Sequence, residues 1–178
     1  GVGGTRNCDW WFTDQAVLLD TAGRYTTQES DAQQDSAAWR GFLQLLRRFR
    51  ARQPINGVLV TLSVQDLLSS TEAERSQLAQ AIGQRLAELC EELALRFPVY
   101  VLVTKTDLLA GFSEFFGPMS REERAQVLGF TFPYEEGAVL ADPLVRFGEE
   151  FDLVARQVDR LLPQRLAAEP DLARRGLL

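Results

Sequence analysis

Short apolar runs alternating with long helical periods most constrain how this chain can fold. Residues 8–12 (CDWWF) and 15–20 (QAVLLD) are rich in aromatic and branched side chains. Thr13-Asp14 between them predicts a tight antiparallel hairpin. Residues 57–63 (GVLVTLS) and 99–103 (VYVLV) are continuous apolar runs of strand length, which predict buried strands. Between these two runs, Leu78, Ile82, Leu86, Leu89 and Leu93 form one stripe of a helix over about residues 71–96. An earlier helix is predicted from a capping box at Ser30 and Gln33 to about Arg52, with Trp39, Phe42, Leu46 and Phe49 as its buried face. Strands joined by amphipathic helices imply an α/β sandwich with a mostly parallel sheet.

The rest of the chain reads as helical. Thr71 to Glu74 and Ser120 to Glu123 each have capping-box spacing. A helix or loop rich in Phe is expected over residues 108–119, and a short helix from Ser120 to near Gly129. A long amphipathic helix over about residues 142–168 is lined by Leu144, Phe147, Phe151, Val154, Val158 and Leu161. This divides the chain into an α/β core, residues 1–110, and a helical extension, residues 111–178, packed on it.

Several function classes drop out early. The chain has no His, which removes Ser-His-Asp and Cys-His nucleophiles and every His-containing zinc site. Cys8 and Cys90 are too few for a zinc site and are expected as buried thiols. The formal net charge of −6 opposes nucleic-acid binding. The basic run at residues 47–52 (RRFRAR) fits a solvated helix end or a patch for an acidic partner surface. No apolar run reaches the ~20 residues that a membrane helix needs. The fragment is therefore expected to be soluble, though it can belong to a membrane protein.

Two motifs stand at strand ends, where open α/β sheets bind ligands. Asp20-Thr21-Ala22-Gly23-Arg24 follows the run at residues 16–19. Thr104-Lys105-Thr106-Asp107 follows the run at residues 99–103. In this order they resemble the third and fourth motifs of P-loop GTPases. The resemblance implies a GTPase-like three-layer sandwich. It also implies that Asp20 holds a Mg²⁺ shell through water and that Gly23 approaches a γ-phosphate. Lys105 would pack along guanine and Asp107 would accept its two N–H groups, with Thr104 standing in for the usual Asn. Mg²⁺ and GTP are the cofactors so implied. Arg24 lacks the acceptor that positions water in Ras-like enzymes, although signal-recognition-particle GTPases also read D-T-A-G-R.

The chain contains no G-x-x-x-x-G-K-[ST]. The first strand and its phosphate loop are expected to lie ahead of Gly1. That strand would sit between residues 16–20 and 57–63. Without it the fragment is expected to bind nucleotide weakly, and no catalytic residue is assigned.

Residues 7–28, with their Trp-Trp hairpin, together with residues 104–112 and Gly129-Phe130-Thr131-Phe132-Pro133-Tyr134, resemble the TssM/IcmF family of type VI secretion. The resemblance covers most of the chain. It implies the cytoplasmic NTPase-like domain of an inner-membrane protein that assembles with TssL, TssJ and cytoplasmic baseplate proteins. It points to a scaffold for protein secretion; the alternative is a GTP-hydrolysing switch whose phosphate loop lies upstream.

Four further expectations concern single residues. Trp10 and Trp11 face opposite sides of a strand and are expected mainly as core or internal cover, with one of them the alternative anchor for a partner. Phe112, Phe115 and Phe116 share a helical face and are expected to pack a lid. Asp66 is expected to cap a turn. Thr5 is a candidate switch residue for Mg²⁺.

Overall fold

The computed structural model describes residues 8–21, 32–132 and 143–178. The chain divides into two units, one ending at Thr104 and one starting at Lys105.

In the first unit, β1 (Asp9–Phe12) and β2 (Val17–Asp20) pair antiparallel, with Asp9 opposite Asp20 and Phe12 opposite Val17. The connection spans residues 13–16, longer than the two-residue turn predicted. Thr13 explains it: its Oγ1 accepts the Ala16 N–H at 2.9 Å, and its own N–H donates to the Ala16 carbonyl. The hydroxyl thus takes part in closing the turn. Both tryptophans are exposed, Trp10 at 48% and Trp11 at 60%, which corrects the expectation that they are core. Trp10 instead stacks on Phe12 along one face of the strand, with ring centroids 6.3 Å apart.

The helices α1 (Ala32–Phe49) and α3 (Glu72–Leu93) form the core. Trp39, Leu43 and Leu46 recur at helical spacing and meet Leu89 and Leu93; Leu19, Phe42, Ile55, Val58 and Leu86 pack around them. Leu43 is fully buried, although the predicted stripe passed over it. Phe49 completes that stripe yet is 74% exposed. The last turn of α1 carries it past the contact with α3, whose helix ends at Leu93. Cys90 is also exposed and Cys8 half-buried, so neither thiol is the core residue expected.

The start of α3 is fixed by the predicted capping box. The Glu74 carboxylate accepts the Thr71 N–H at 2.7 Å, and the Thr71 hydroxyl accepts the Glu74 N–H at 3.3 Å. The same carboxylate accepts the Thr71 hydroxyl at 2.8 Å, and the two bonds it accepts, the backbone one foremost, hold the Glu74 carboxyl below its usual value of 4.5. A depressed folded-state value means the contribution is present above 4.5 and fades as pH falls through the folded value. Thr71→Val is therefore expected to move the Glu74 midpoint back towards 4.5 in an NMR titration and to flatten the acid limb of the stability curve. An unmoved midpoint counts against this capping.

Strand β3 (Val58–Ser63) pairs in parallel with β4 (Val99–Thr104), in register from Val58 opposite Val99 to Ser63 opposite Thr104. The six-residue helix α2 (Val64–Ser69), not foreseen, follows β3 directly. The described strands form two separate two-stranded sheets where one mostly parallel sheet was expected. The expected burial is correspondingly incomplete. β4 has side chains about half exposed on both faces, Tyr100 and Leu102 on one and Val99, Val101 and Val103 on the other. The core cluster reaches Val58 of β3 but includes no residue of β4.

In the second unit, a 3₁₀ turn (Thr106–Leu108) leads to α4 (Phe112–Phe116) and α5 (Arg121–Arg124), then to α6 (Pro143–Ala168) and α7 (Leu172–Arg175). The predicted capping box at Ser120 and Glu123 is formed, with the Ser120 N–H 2.7 Å from the Glu123 carboxylate. Phe115 is buried and touches Phe116, whose ring also meets Phe112. The line predicted along α6 is only partly covered: Phe147 and Phe151 are exposed and stack on each other at 6.0 Å.

Candidate functional site

The parallel pair places its two carboxyl ends side by side. Thr104 closes β4 opposite Ser63, and its Oγ1 donates to the Leu62 carbonyl at 3.3 Å. That bond ties the tip of β4 to its neighbour. Lys105 then adopts a left-handed conformation, φ +58° and ψ 30°. For a residue with a Cβ this costs on the order of 1–2 kcal/mol. Strain of this kind collects where a turn must present side chains in a fixed direction. The Lys105 carbonyl accepts the Leu108 N–H at 3.0 Å and so closes the 3₁₀ turn that carries Asp107. Lys105 and Asp107 are both exposed. The short turn thus presents one cation and one carboxylate to solvent, the pair that the guanine reading needs.

Asp20 lies elsewhere in the topology, as the last residue of β2 in the hairpin sheet, opposite Asp9. Burial pushes the Cys8 thiol above its usual value, and the Asp9 and Asp20 carboxylates add to the rise. Among the described residues, no three Cys, Asp or Glu side chains gather as a metal-holding set. Gly23, Arg24, Thr5, Pro133 and Tyr134 lie outside the described residues, as does Ser30 of the expected Ser30–Gln33 capping box.

Asp66 acts through its backbone. Its N–H donates to Ser63 Oγ at 3.4 Å, and its carbonyl accepts the Ser70 hydroxyl at 2.6 Å. The cap of α2 is Ser63, not Asp66. Ser63 followed three residues later by Asp66 has the spacing that would have revealed this helix.

The second unit has a small cleft lined by Glu114, Pro118, Arg165, Ala168 and Glu169. Arg165 reaches the Glu123 carboxylate at 4.0 Å and lies over the Phe115 ring at 5.9 Å. Its Nε is buried without a partner. Two glutamates among its lining residues give the cleft a mixed charge that suits internal pairing better than an anion.

No described helix is long and apolar enough to cross a membrane. Residues 32–178 match the IcmF-related N-terminal domain family. Over all 178 residues the chain is 56% identical to the type VI secretion system component TssM1 of Pseudomonas aeruginosa PAO1, and it covers 16% of that protein. No solved structure matches. Thr104, Lys105 and Asp107 fall inside the family match, whereas Asp20 and Gly23 precede it.

Proposed function

The chain belongs to the IcmF-related family, and from that premise we propose that it is an assembly module of a type VI secretion machine. The observation that carries this reading is 56% identity, sustained over the full 178 residues, to a type VI secretion component. The chain spans about one sixth of that relative's length, so the activity of the whole protein and its partners belong to the proposal. TssL, TssJ and baseplate proteins are the partners proposed. The cytoplasmic face of the bacterial inner membrane is the proposed place.

The frame we propose is GTPase-like. A parallel pair of strands with a strained, exposed turn beyond β4 supports it. In this reading Thr104, Lys105 and Asp107 form the base-reading corner, and Asp20 and Gly23 belong to the metal and phosphate end. The residues present do not fit a complete Mg²⁺–GTP complex. The sequence holds no Walker A loop, hence no nest of N–H groups for the phosphates, no phosphate-binding Lys and no hydroxyl ligand for Mg²⁺. The module is therefore proposed to act by holding partners, without hydrolysis by this chain. The runner-up, a GTP switch completed by a phosphate loop outside these residues, is favoured only by the Lys105–Asp107 turn.

Exchange into the relative tests the two readings. TssM1 of P. aeruginosa with its matching segment replaced by this chain is expected to restore type VI secretion. Asp107→Ala in that chimera is expected to leave secretion and assembly intact. Loss of secretion at an unchanged protein level, together with micromolar binding of fluorescent GTP that Asp107→Ala abolishes, would establish the switch instead.

A further inference from the structure

Between Asp35 and Asp66 the chain carries no acidic residue and five arginines: Arg40, Arg47, Arg48, Arg50 and Arg52. Four of them crowd the end of α1. Arg47 is held by the Glu92 carbonyl at 3.1 Å. Arg48, Arg50 and Arg52 make no ion pair with any described acid; Arg48 and Arg52 are exposed and Arg50 is half-buried. Phe49 projects from the middle of this group, and the Arg48 guanidinium lies 5.4 Å over its ring. Leu45, 55% exposed, stands one turn earlier on the same side of the helix. Leu45 and Arg48 lie on a face turned away from the buried Trp39, Leu43 and Leu46, while Phe49, three residues after Leu46, is exposed because it lies beyond the end of the contact with α3.

We propose that this tip docks on an anionic lipid bilayer. The arrangement sets one exposed aromatic ring among cations at a helix end. A protein partner would have to supply a pocket for Phe49. A bilayer supplies one anywhere, with the ring entering the acyl boundary while the guanidinium groups stay among the headgroup phosphates. Arg suits that role because its planar fork meets phosphate through paired hydrogen bonds. The chain's net charge of −6 does not forbid the contact. At physiological salt, charges more than ~8 Å from the surface are screened, so the field at the tip is set by the groups nearest it, its four arginines against the neighbouring Glu92. No described helix spans a membrane, so the association is peripheral.

The test is co-sedimentation of the 178-residue chain with phosphatidylcholine vesicles, with and without about one third phosphatidylglycerol. Binding is expected only to the anionic vesicles and is expected to weaken with salt. Arg48→Glu with Arg52→Glu is expected to lower affinity by at least about tenfold, as is the milder pair Arg48→Gln with Arg52→Gln to a smaller degree. Phe49→Ser is expected to weaken binding while leaving its salt dependence. Arg156→Glu, on the exposed side of α6, is the control and is expected to change nothing. Failure to bind anionic vesicles, or equal binding by the doubly reversed variant with an unchanged circular dichroism spectrum, would overturn the proposal. So would capture of an acidic amphipathic peptide by this tip with no vesicle binding, which would assign the surface to a protein partner.

Discussion

Leu43→Ala is expected to destabilise the first unit by about 3 kcal/mol. Leu43 is completely enclosed, between Trp39 and Leu46 on its own helix and Leu89 and Leu93 on α3. Truncation removes buried methyl groups and leaves a cavity that two helices cannot easily collapse. Among the described residues of this unit, α1 and α3 make the main helix–helix contact. Leu45→Ala is the matched control: same helix, same chemistry, exposed side chain, and an expected cost within about 0.5 kcal/mol. Urea unfolding followed by far-UV circular dichroism measures both. A cost for Leu43→Ala as small as that of Leu45→Ala would mean that α1 does not pack on α3 as described.

The second large effect is expected at Gly111. Gly111 caps α4 with φ +82°, a conformation that residues with a Cβ rarely adopt. A Cβ there would also collide with the Leu177 carbonyl oxygen and lie 3.1 Å from its carbon. Both obstacles are backbone, so no rotamer change relieves them. Gly111→Ala is expected to cost about 2–4 kcal/mol in the second unit and to displace residues 172–177. Faster amide exchange over α7 and a lower Tm would report it. Gly148→Ala makes the opposite case. Gly148 lies inside α6 with nothing within 4 Å of its added Cβ, and the change is expected to stabilise by about 0.5–1 kcal/mol. The same chemical edit should thus raise stability at one glycine and lower it at another. Two changes of equal sign would remove the conformational argument at Gly111.

The helices were legible where periodicity and caps agreed. Thr71 and Ser120 mark helix starts because a hydroxyl and a carboxylate three residues apart satisfy two orphan N–H groups at once, a local signal. Burial was less legible. Phe49 continues the stripe of Trp39 and Leu46, but the stripe records only which side of α1 a residue occupies, not how far the partner helix reaches. Trp10 and Trp11 misled for a related reason: aromatic bulk predicts burial only if a second layer arrives to cover it. At the candidate site, the position of Thr104 followed from the end of an apolar β-branched run. The left-handed turn at Lys105 had no Gly or Asn to announce it, so its strain was invisible until the backbone was traced.

Strand β4 has a further consequence. A ribbon of Val, Tyr and Leu that is greasy above and below and, among the described residues, hydrogen-bonded along one side only is a template for self-adhesion. Concentrated or warmed preparations of these residues alone should lose material to cross-chain strand stacking before the α1–α3 contact melts. Solubility, rather than folding free energy, would then set the ceiling for handling them.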